Sequence, residues 1–599
     1  MVFKHTTGQG KASANTPKTR LARYRAPDPV RIPLKSMDCY RRPMSTAFEI
    51  TDRYVDELCV LFPPLATSLG VPGSDHEWGD GFGLSGIEAG HDLAVRYRLE
   101  LLAHVDDPNP RQSLAARITL TSIEEQLAAY ESEDHFRDLR HMGSPFHQPR
   151  SIFEIMPSGS AEQWDNITRR LETIDQPYDD YRDRLDEGRR RGVTVARRQV
   201  KSVVRQARDI SGANSSFHDI FDDADRLGYA NDRLQRAVEH AKSAAGSFGE
   251  WLEREYIQSA VEEDGVGEEV YRRAADRLVG LDVDPSESYQ WGWDEFHRLL
   301  REMARVGEQI IPGSDFAEVK ESLESDHRGT VNSTDELVEY VERLLSEAVE
   351  DLADTHFEVP DAIRPLTVQT APAGAPLGVY YIPPSEDFSR PGGVWYSIGD
   401  QSVFPLYQHV STAYHEGFPG HHLQIGTAMF QKENLSRAQR VLTYYPGYQE
   451  GWAMYAEVLM GELGYLENPK HYFGMLAKQM YRAARIVVDI GLHLSKKIAD
   501  TSPISPGEPW TFETAAQFME IYGFRTPAQA QAEVLRYLGW PGQAIAYKLG
   551  EREMLSIREE TRFRLGADFD LKGFHATILN HGTMRLDSLR EVVRQSAEK

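Results

Sequence analysis

Residues 413–424 read AYHEGFPGHHLQ. His415 and Glu416 open the HExxH pattern of zinc hydrolases. In that pattern two histidines four residues apart lie about 6 Å from each other on one helix face and grip an ion. The glutamate between them activates the water that the ion holds. Here the fourth position after His415 is Pro419, and the next histidines are His421 and His422. On a straight helix these two lie about 9 and 10.5 Å along the axis, with His421 on the wrong side. Pro419 has no N–H and clashes with the preceding turn, and Gly420 opens backbone conformations closed to other residues. A bulge at Pro-Gly that absorbs two residues restores the i,i+4 relation between His415 and His421. The pattern therefore predicts a metal site on a broken helix, with His415 and His421 as ligands and His422 as the rival of His421. Any single histidine is more often a packing residue. Four such residues within one short segment, in a chain with 20 histidines, form a stronger signal.

A zinc site needs a third protein ligand and an open position for water. Downstream, YPGYQEGWAMYAEVL offers Glu450 and, two turns farther along the same helix, Glu457. Taken alone either is an ordinary solvated helix carboxylate. As the completion of a His2Glu shell, Glu450 is the better candidate.

Outward from this cluster the texture is helical. Phe48, Tyr54, Val55, Leu58 and Leu61 recur at helical spacing and stop before Pro63-Pro64. Val193, Val200, Val203 and Val204 face inward from an arginine-rich stretch, and STDELVEYVERLL begins with a capping signal. Between Phe357 and Asp400, prolines and glycines surround the short β-rich runs LTVQTAP, GVYYIPP and GGVWYSI. The expected architecture is mostly α: a large helical fold around a deep cleft, with one small β-sheet next to the metal-binding helix. The expected organisation is a basic disordered leader over 1–44, an N-terminal helical region over 45–355 and a metal-binding catalytic region over 356–599. The last two are expected to form one cleft-containing unit. The leader is rich in Pro, Ser and Thr and poor in large apolar residues.

Composition narrows the function. A formal charge of -25 argues against a general nucleic-acid or membrane binder, because phosphate surfaces repel it. No apolar run approaches the roughly 18 residues of a membrane span. The two cysteines, Cys39 and Cys59, form no CxxC and no paired framework, which fits a reducing compartment and predicts a cytoplasmic protein. No glycine-rich phosphate loop and no GxSxG elbow stands out. Oligomeric state is not legible.

The segments YHEGFPGHHLQ and QEGWAMYAE resemble the domain of unknown function 885 family. So do DRYVDELCVLFPPLATSLGVPG, EGRRRGVTVARRQV, YQWGWDEFHRLLREM, ARIVVDIGLHL and PGQAIAYKLGEREMLSIRE, and the likeness runs from Met44 to the C-terminus. Members of that family are regarded as zinc peptidase-like. The order His-Glu, His, then Glu on a following helix is more distantly similar to the thimet-oligopeptidase and carboxypeptidase Taq groups, which are helical shells around a deep cleft. The resemblance implies one Zn²⁺ held by His415, by His421 or His422, and by Glu450, with Glu416 as general base. In PGQAIAYKLGERE, Tyr547 and Lys548 resemble a carboxypeptidase Taq segment that carries an active-site tyrosine; a helix-packing role for Tyr547 is equally open.

Arg482 and Arg485 lie one turn apart, and Asp489 and His493 continue that face. Arg485 suits a substrate carboxylate, His493 an oxyanion, and Lys548 a further substrate contact; for Asp489 an ion-pair stripe is the commoner role. Tyr380, Tyr381, Trp395 and Tyr396 are candidate cleft walls, or ordinary sheet-core aromatics. The expected activity is zinc-dependent hydrolysis of short peptides, of carboxypeptidase or dipeptidase type. The same residues also suit a zinc hydrolase of a non-peptide amide or modified amino acid, or a non-catalytic helical binding protein with a vestigial metal site.

Overall fold

The helix Pro469–His493 explains the rest of the architecture. Asn468 caps it by accepting from Lys470 N, Pro469 occupies its first turn, and from Phe473 to His493 all but Lys478 and Arg482 are buried. A helix apolar nearly all round is buried on every side. Its largest partner is Pro285–Ile310, capped by Asp284, whose Trp293, Phe296, Leu299, Met303 and Val306 form an inward stripe. Each such side chain taken from water contributes about 1.5–3 kcal/mol.

The computed structural model describes residues 45–371, 378–385, 388–399 and 401–598. The expected disordered leader, 1–44, lies outside them. From Thr46 onward the chain forms one compact unit. Its main core runs from Ile118 to Val593 and crosses the expected boundary at 355/356 without a break, through Leu345, Leu352, Phe357 and Ile363. A second core, built between Trp78 and Ala260, packs the N-terminal helices among themselves. Among the described residues, no helix is long and apolar enough to cross a membrane.

Helices dominate, as the periodicity predicts. The first, Ala47–Leu61, buries Ile50, Tyr54, Val55 and Leu58. Ser333 caps Thr334–Leu352 through Glu336 N. One expectation shifts: Val193 is only half-buried, because Gly192 ends the helix Asp175–Arg191 in a left-handed conformation. The next helix, Arg197–Ser211, starts after it and carries the buried Val200, Val203 and Val204.

Among the described residues five strands make two small sheets: β1 (Thr330–Val331), β2 (Leu366–Thr370), β3 (Gly378–Ile382), β4 (Gly392–Ser397) and β5 (Phe404–Pro405). β1 pairs with β5. The other three order as β2-β4-β3, with β2 parallel to β4 and β3 antiparallel to it. This is the sheet expected just before the histidines. β4 is buried along most of its length, whereas β3 is an edge strand.

Two helices cross at glycines. Pro446–Glu462 and Ala546–Leu565 meet where a Cβ on Gly550 would lie 2.1 Å from Gly447 O, and one on Gly451 would lie 2.7 Å from Gly550 Cα. Only glycine allows this backbone approach. It sets Glu450 on one helix and Tyr547 on the other around the same cleft.

Candidate metal centre

The helix Val410–Glu416 ends at Gly417, and a new one, His421–Phe430, begins directly after Gly420. Between them the chain folds back over the end of the first helix. Gly420 N donates to Tyr414 O at 3.0 Å, and His422 N donates to Gly417 O at 3.1 Å. The Phe418–Pro419 peptide is cis. A Cβ on Gly420 would lie 1.9 Å from His415 O, so no other residue fits. Trp452 Nε1 donates to Pro419 O at 3.0 Å and ties the bulge to the helix that carries Glu450.

The bulge brings the His421 ring to the His415 ring, centroids 4.9 Å apart and nearly perpendicular. Glu450 Oε2 faces both imidazoles, 3.3 Å from His415 Nε2 and 3.6 Å from His421 Nε2. One ligand atom from each of the three lies within 4.8 Å of the others. Glu450 Oε2 is buried yet makes no hydrogen bond of good geometry, and His421 Nδ1 is buried with no partner. A buried carboxylate oxygen left this way is rare, and Glu450 Oε2 is the atom that faces Nε2 of both histidines. Two imidazoles and a carboxylate form the donor set of a zinc site with an open fourth position. The residues present fit the ion.

His422 turns away. Its Nε2 donates to Ile363 O at 2.6 Å, and its Nδ1 accepts from Tyr381 OH at 3.0 Å. Burial, only partly offset by the Ile363 bond, lowers its pKa to about 4, so it stays neutral. Both nitrogens are engaged, and His421 takes the place beside His415.

Glu457 is buried rather than solvated. His415 Nδ1 donates to Glu457 Oε1 at 2.8 Å, and Ser411 Oγ donates to Glu457 Oε2 at 2.5 Å. This fixes the ring's orientation and turns His415 Nε2 toward Glu450, the arrangement by which a carboxylate orients a ligating histidine. Burial works against a charged His415, but Glu450 and Glu457 outweigh it and lift its pKa to about 9. Burial also pushes the Glu450 carboxyl up, and the two histidines more than reverse that. The cluster favours positive charge at its centre.

Glu416 borders the same cleft, a cavity of about 450 Å³. Burial raises its carboxyl pKa, opposed by His415 and His421, which moves it toward the range useful for proton transfer. Tyr547 and Arg485 line the same cleft. The Arg485 guanidinium stacks 4.2 Å from the centre of the Tyr547 ring. Burial, with Glu450 adding to it, raises the Tyr547 phenol and keeps it a proton donor. Tyr380 and Tyr381 also line the cleft; Tyr396 is buried in the main core instead.

Two expected substrate contacts lie elsewhere. Lys548 is buried against Glu295 at 2.9 Å and Glu551 at 2.6 Å. Successive helix residues point about 100° apart, so Tyr547 on the cleft sends Lys548 into the packing. His493 donates from Nε2 to Tyr537 O at 3.0 Å, with Asp489 3.7 Å away. It lies about 12 Å along the helix from Arg485, too far to share its ligand. Arg536, Glu533 and Tyr481, which also line the cleft, and Gln543, which bonds Arg485, carry no signal in the sequence pattern. Glu533 and Arg536 read as an everyday i,i+3 ion pair.

A helical shell with two histidines and a glutamate gathered at a broken helix is the class of protein defined here. The chain belongs to the family described as bacterial protein of unknown function, DUF885, whose profile matches residues 63–593. It is similar in fold to a solved protein from Colwellia psychrerythraea provisionally named a lipoprotein. That match has TM-score 0.80 and 22% identity, covering 92% of this chain and 99% of that one. A second, from Shewanella oneidensis and also provisionally named a lipoprotein, of unknown function, has TM-score 0.70 and 17% identity, covering 92% and 100%. No curated protein matches.

Proposed function

We propose that this protein is a zinc-dependent hydrolase of short peptides, acting from the carboxyl end as a carboxypeptidase or dipeptidase. The observation that carries this is the set of inward-facing donors His415, His421 and Glu450, with Glu457 fixed behind and Glu416 beside them. When bound there, Zn²⁺ polarises a carbonyl and makes water acidic enough to attack near neutral pH. Glu416, its carboxyl raised by burial, takes the proton of the attacking water and returns it to the leaving nitrogen. Tyr547 donates a hydrogen bond to the oxygen that gains charge, a contribution of about 2.7–4 kcal/mol where such donors have been removed. Arg485, buried on the same wall, holds the substrate's terminal carboxylate.

A cytoplasmic location belongs to the same proposal; the lipoprotein names of the two solved relatives point instead to an envelope, and cell fractionation decides between them. The test of function is elemental mass spectrometry of the purified protein beside His415→Ala and Glu450→Ala, followed by peptide hydrolysis with Glu416→Gln. About one zinc per chain, lost in the first two variants, with turnover lost in the third, is the expected result. A chain that binds no zinc when offered it refutes the proposal.

A further inference from the structure

Three guanidinium groups gather in the cleft that holds the proposed metal centre, more than one terminal carboxylate engages. Arg482, Arg485 and Arg536 all line the cleft. Arg525 lies behind them, its guanidinium 4.0 Å from the centre of the Tyr481 ring. Three carboxylates line the same cleft, Glu416, Glu450 and Glu533, and Glu533 is paired with Arg536 at 2.9 Å. Arg482 and Arg485 each keep a buried Nε with no partner. Neither forms a close ion pair among the described residues, although the charges of Glu416 and Glu457 reach the half-buried Arg482 and those of Glu533 and Asp489 reach Arg485; guanidinium groups left this way can take a carboxylate ligand.

The arginines are also held in place. Arg485 Nη2 and Arg536 Nη1 both donate to Gln543 Oε1, at 3.4 and 3.3 Å, which sets the two guanidinium groups side by side. Gln543 sits in a turn fixed by Asp489, whose Oδ2 accepts from Gly542 N at 3.1 Å and from Tyr271 OH at 2.6 Å. Arg482 stands apart from this pair; its Nη1 donates to Lys478 O at 3.3 Å. One acceptor thus joins two arginines, and a third guanidinium, one helical turn along, waits separately. Tyr481 reports the same field. Burial and Glu533 raise its phenol, yet Arg525, Arg485 and Arg536 outweigh both and bring it below the ordinary tyrosine value.

We propose that the cleft selects substrates whose carboxyl-terminal residue is acidic, aspartate or glutamate. Arg485 and Arg536 receive the main-chain carboxylate, and Arg482 receives the side-chain carboxylate. This rests on the hydrolase proposal for its catalytic consequence, but the binding subsite stands or falls by itself.

The probes are N-acetyl-glutamate and N-acetyl-glutamine, nearly equal in size and different in one carboxylate. Both are titrated calorimetrically into the full-length protein at low salt. The expected result is about tenfold tighter binding of N-acetyl-glutamate. In Arg482→Gln that preference disappears while N-acetyl-glutamine binds as before. A preference under threefold, or one that survives Arg482→Gln, overturns the proposal. If turnover is present, dipeptides ending in Glu should show kcat/KM about tenfold above those ending in Gln; equal values overturn the subsite and leave the hydrolase intact. Tight, Arg482-dependent binding with no turnover refutes the hydrolase and leaves the subsite standing.

Discussion

Glu457 is not among the residues that line the cleft, yet its removal should weaken the proposed metal centre. Its two oxygens hold His415 Nδ1 at 2.8 Å and Ser411 Oγ at 2.5 Å, and it is 1% exposed. In Glu457→Ala the imidazole N–H loses a charged acceptor in a place water scarcely reaches. The ring can then rotate or adopt the other tautomer. Carboxylates that orient a ligating histidine in this way are worth about 10–100-fold in metal affinity. Complete burial and a double hydrogen bond put alanine at the upper end, about 2.7 kcal/mol at 100-fold. Glu457→Gln keeps an acceptor oxygen and loses only the charge, so its loss should be nearer tenfold. The assay is competition for Zn²⁺ against a chromophoric chelator, with circular dichroism to confirm that each variant is folded. If Glu457→Ala binds zinc within threefold of the unsubstituted protein, the role assigned to Glu457 is refuted.

Three further outcomes are expected. Gly420→Ala places a Cβ 1.9 Å from His415 O, so the bulge must open; stability falls by about 1–3 kcal/mol in urea unfolding, and zinc content falls with it. Lys548→Met strands Glu551 in the core and takes one of its two partners from Glu295, which costs about 3–5 kcal/mol of stability. Bound zinc per folded chain should not change, and a loss of zinc without a loss of stability would contradict the placement of Lys548. His575 is buried between Tyr455 OH at 2.8 Å and His356 O at 2.9 Å, and burial lowers its pKa to about 4. Because the folded pKa lies below the unfolded one, its stabilisation is complete above pH 6.5 and is lost as pH falls toward 4, by about 3 kcal/mol. His575→Gln should remove that part of the pH dependence, measured by urea unfolding at pH 7 and pH 4.5.

The helical character was legible because apolar spacing is local, and each cap is read within four residues. The bulge was legible too: Pro419 and Gly420 announce a broken helix, and a two-residue offset returns His421 to His415. The choice between His421 and His422 was not. It depends on how the chain turns after Gly420 and on Tyr381 and Ile363, which come from other segments and occupy His422. For the same reason Lys548 and His493 looked available in sequence, while their buried partners Glu295 and Tyr537 come from elsewhere in the chain. Arg536 and Gln543 belong to the site only because the helix Pro527–Gly539 and the turn after it fold against Arg485. No short-range pattern records that meeting.

The crossing at Gly451 and Gly550 has a mechanical corollary. With two backbones in van der Waals contact there, Glu450 and Tyr547 are mounted on one stiff joint. A bulkier side chain at either glycine would act as a wedge, and the metal ligand and the phenol would separate together. The sheet contributes to the cleft differently: Tyr380 and Tyr381 come from β3, which among the described residues is paired on one side only and so is held by fewer backbone hydrogen bonds.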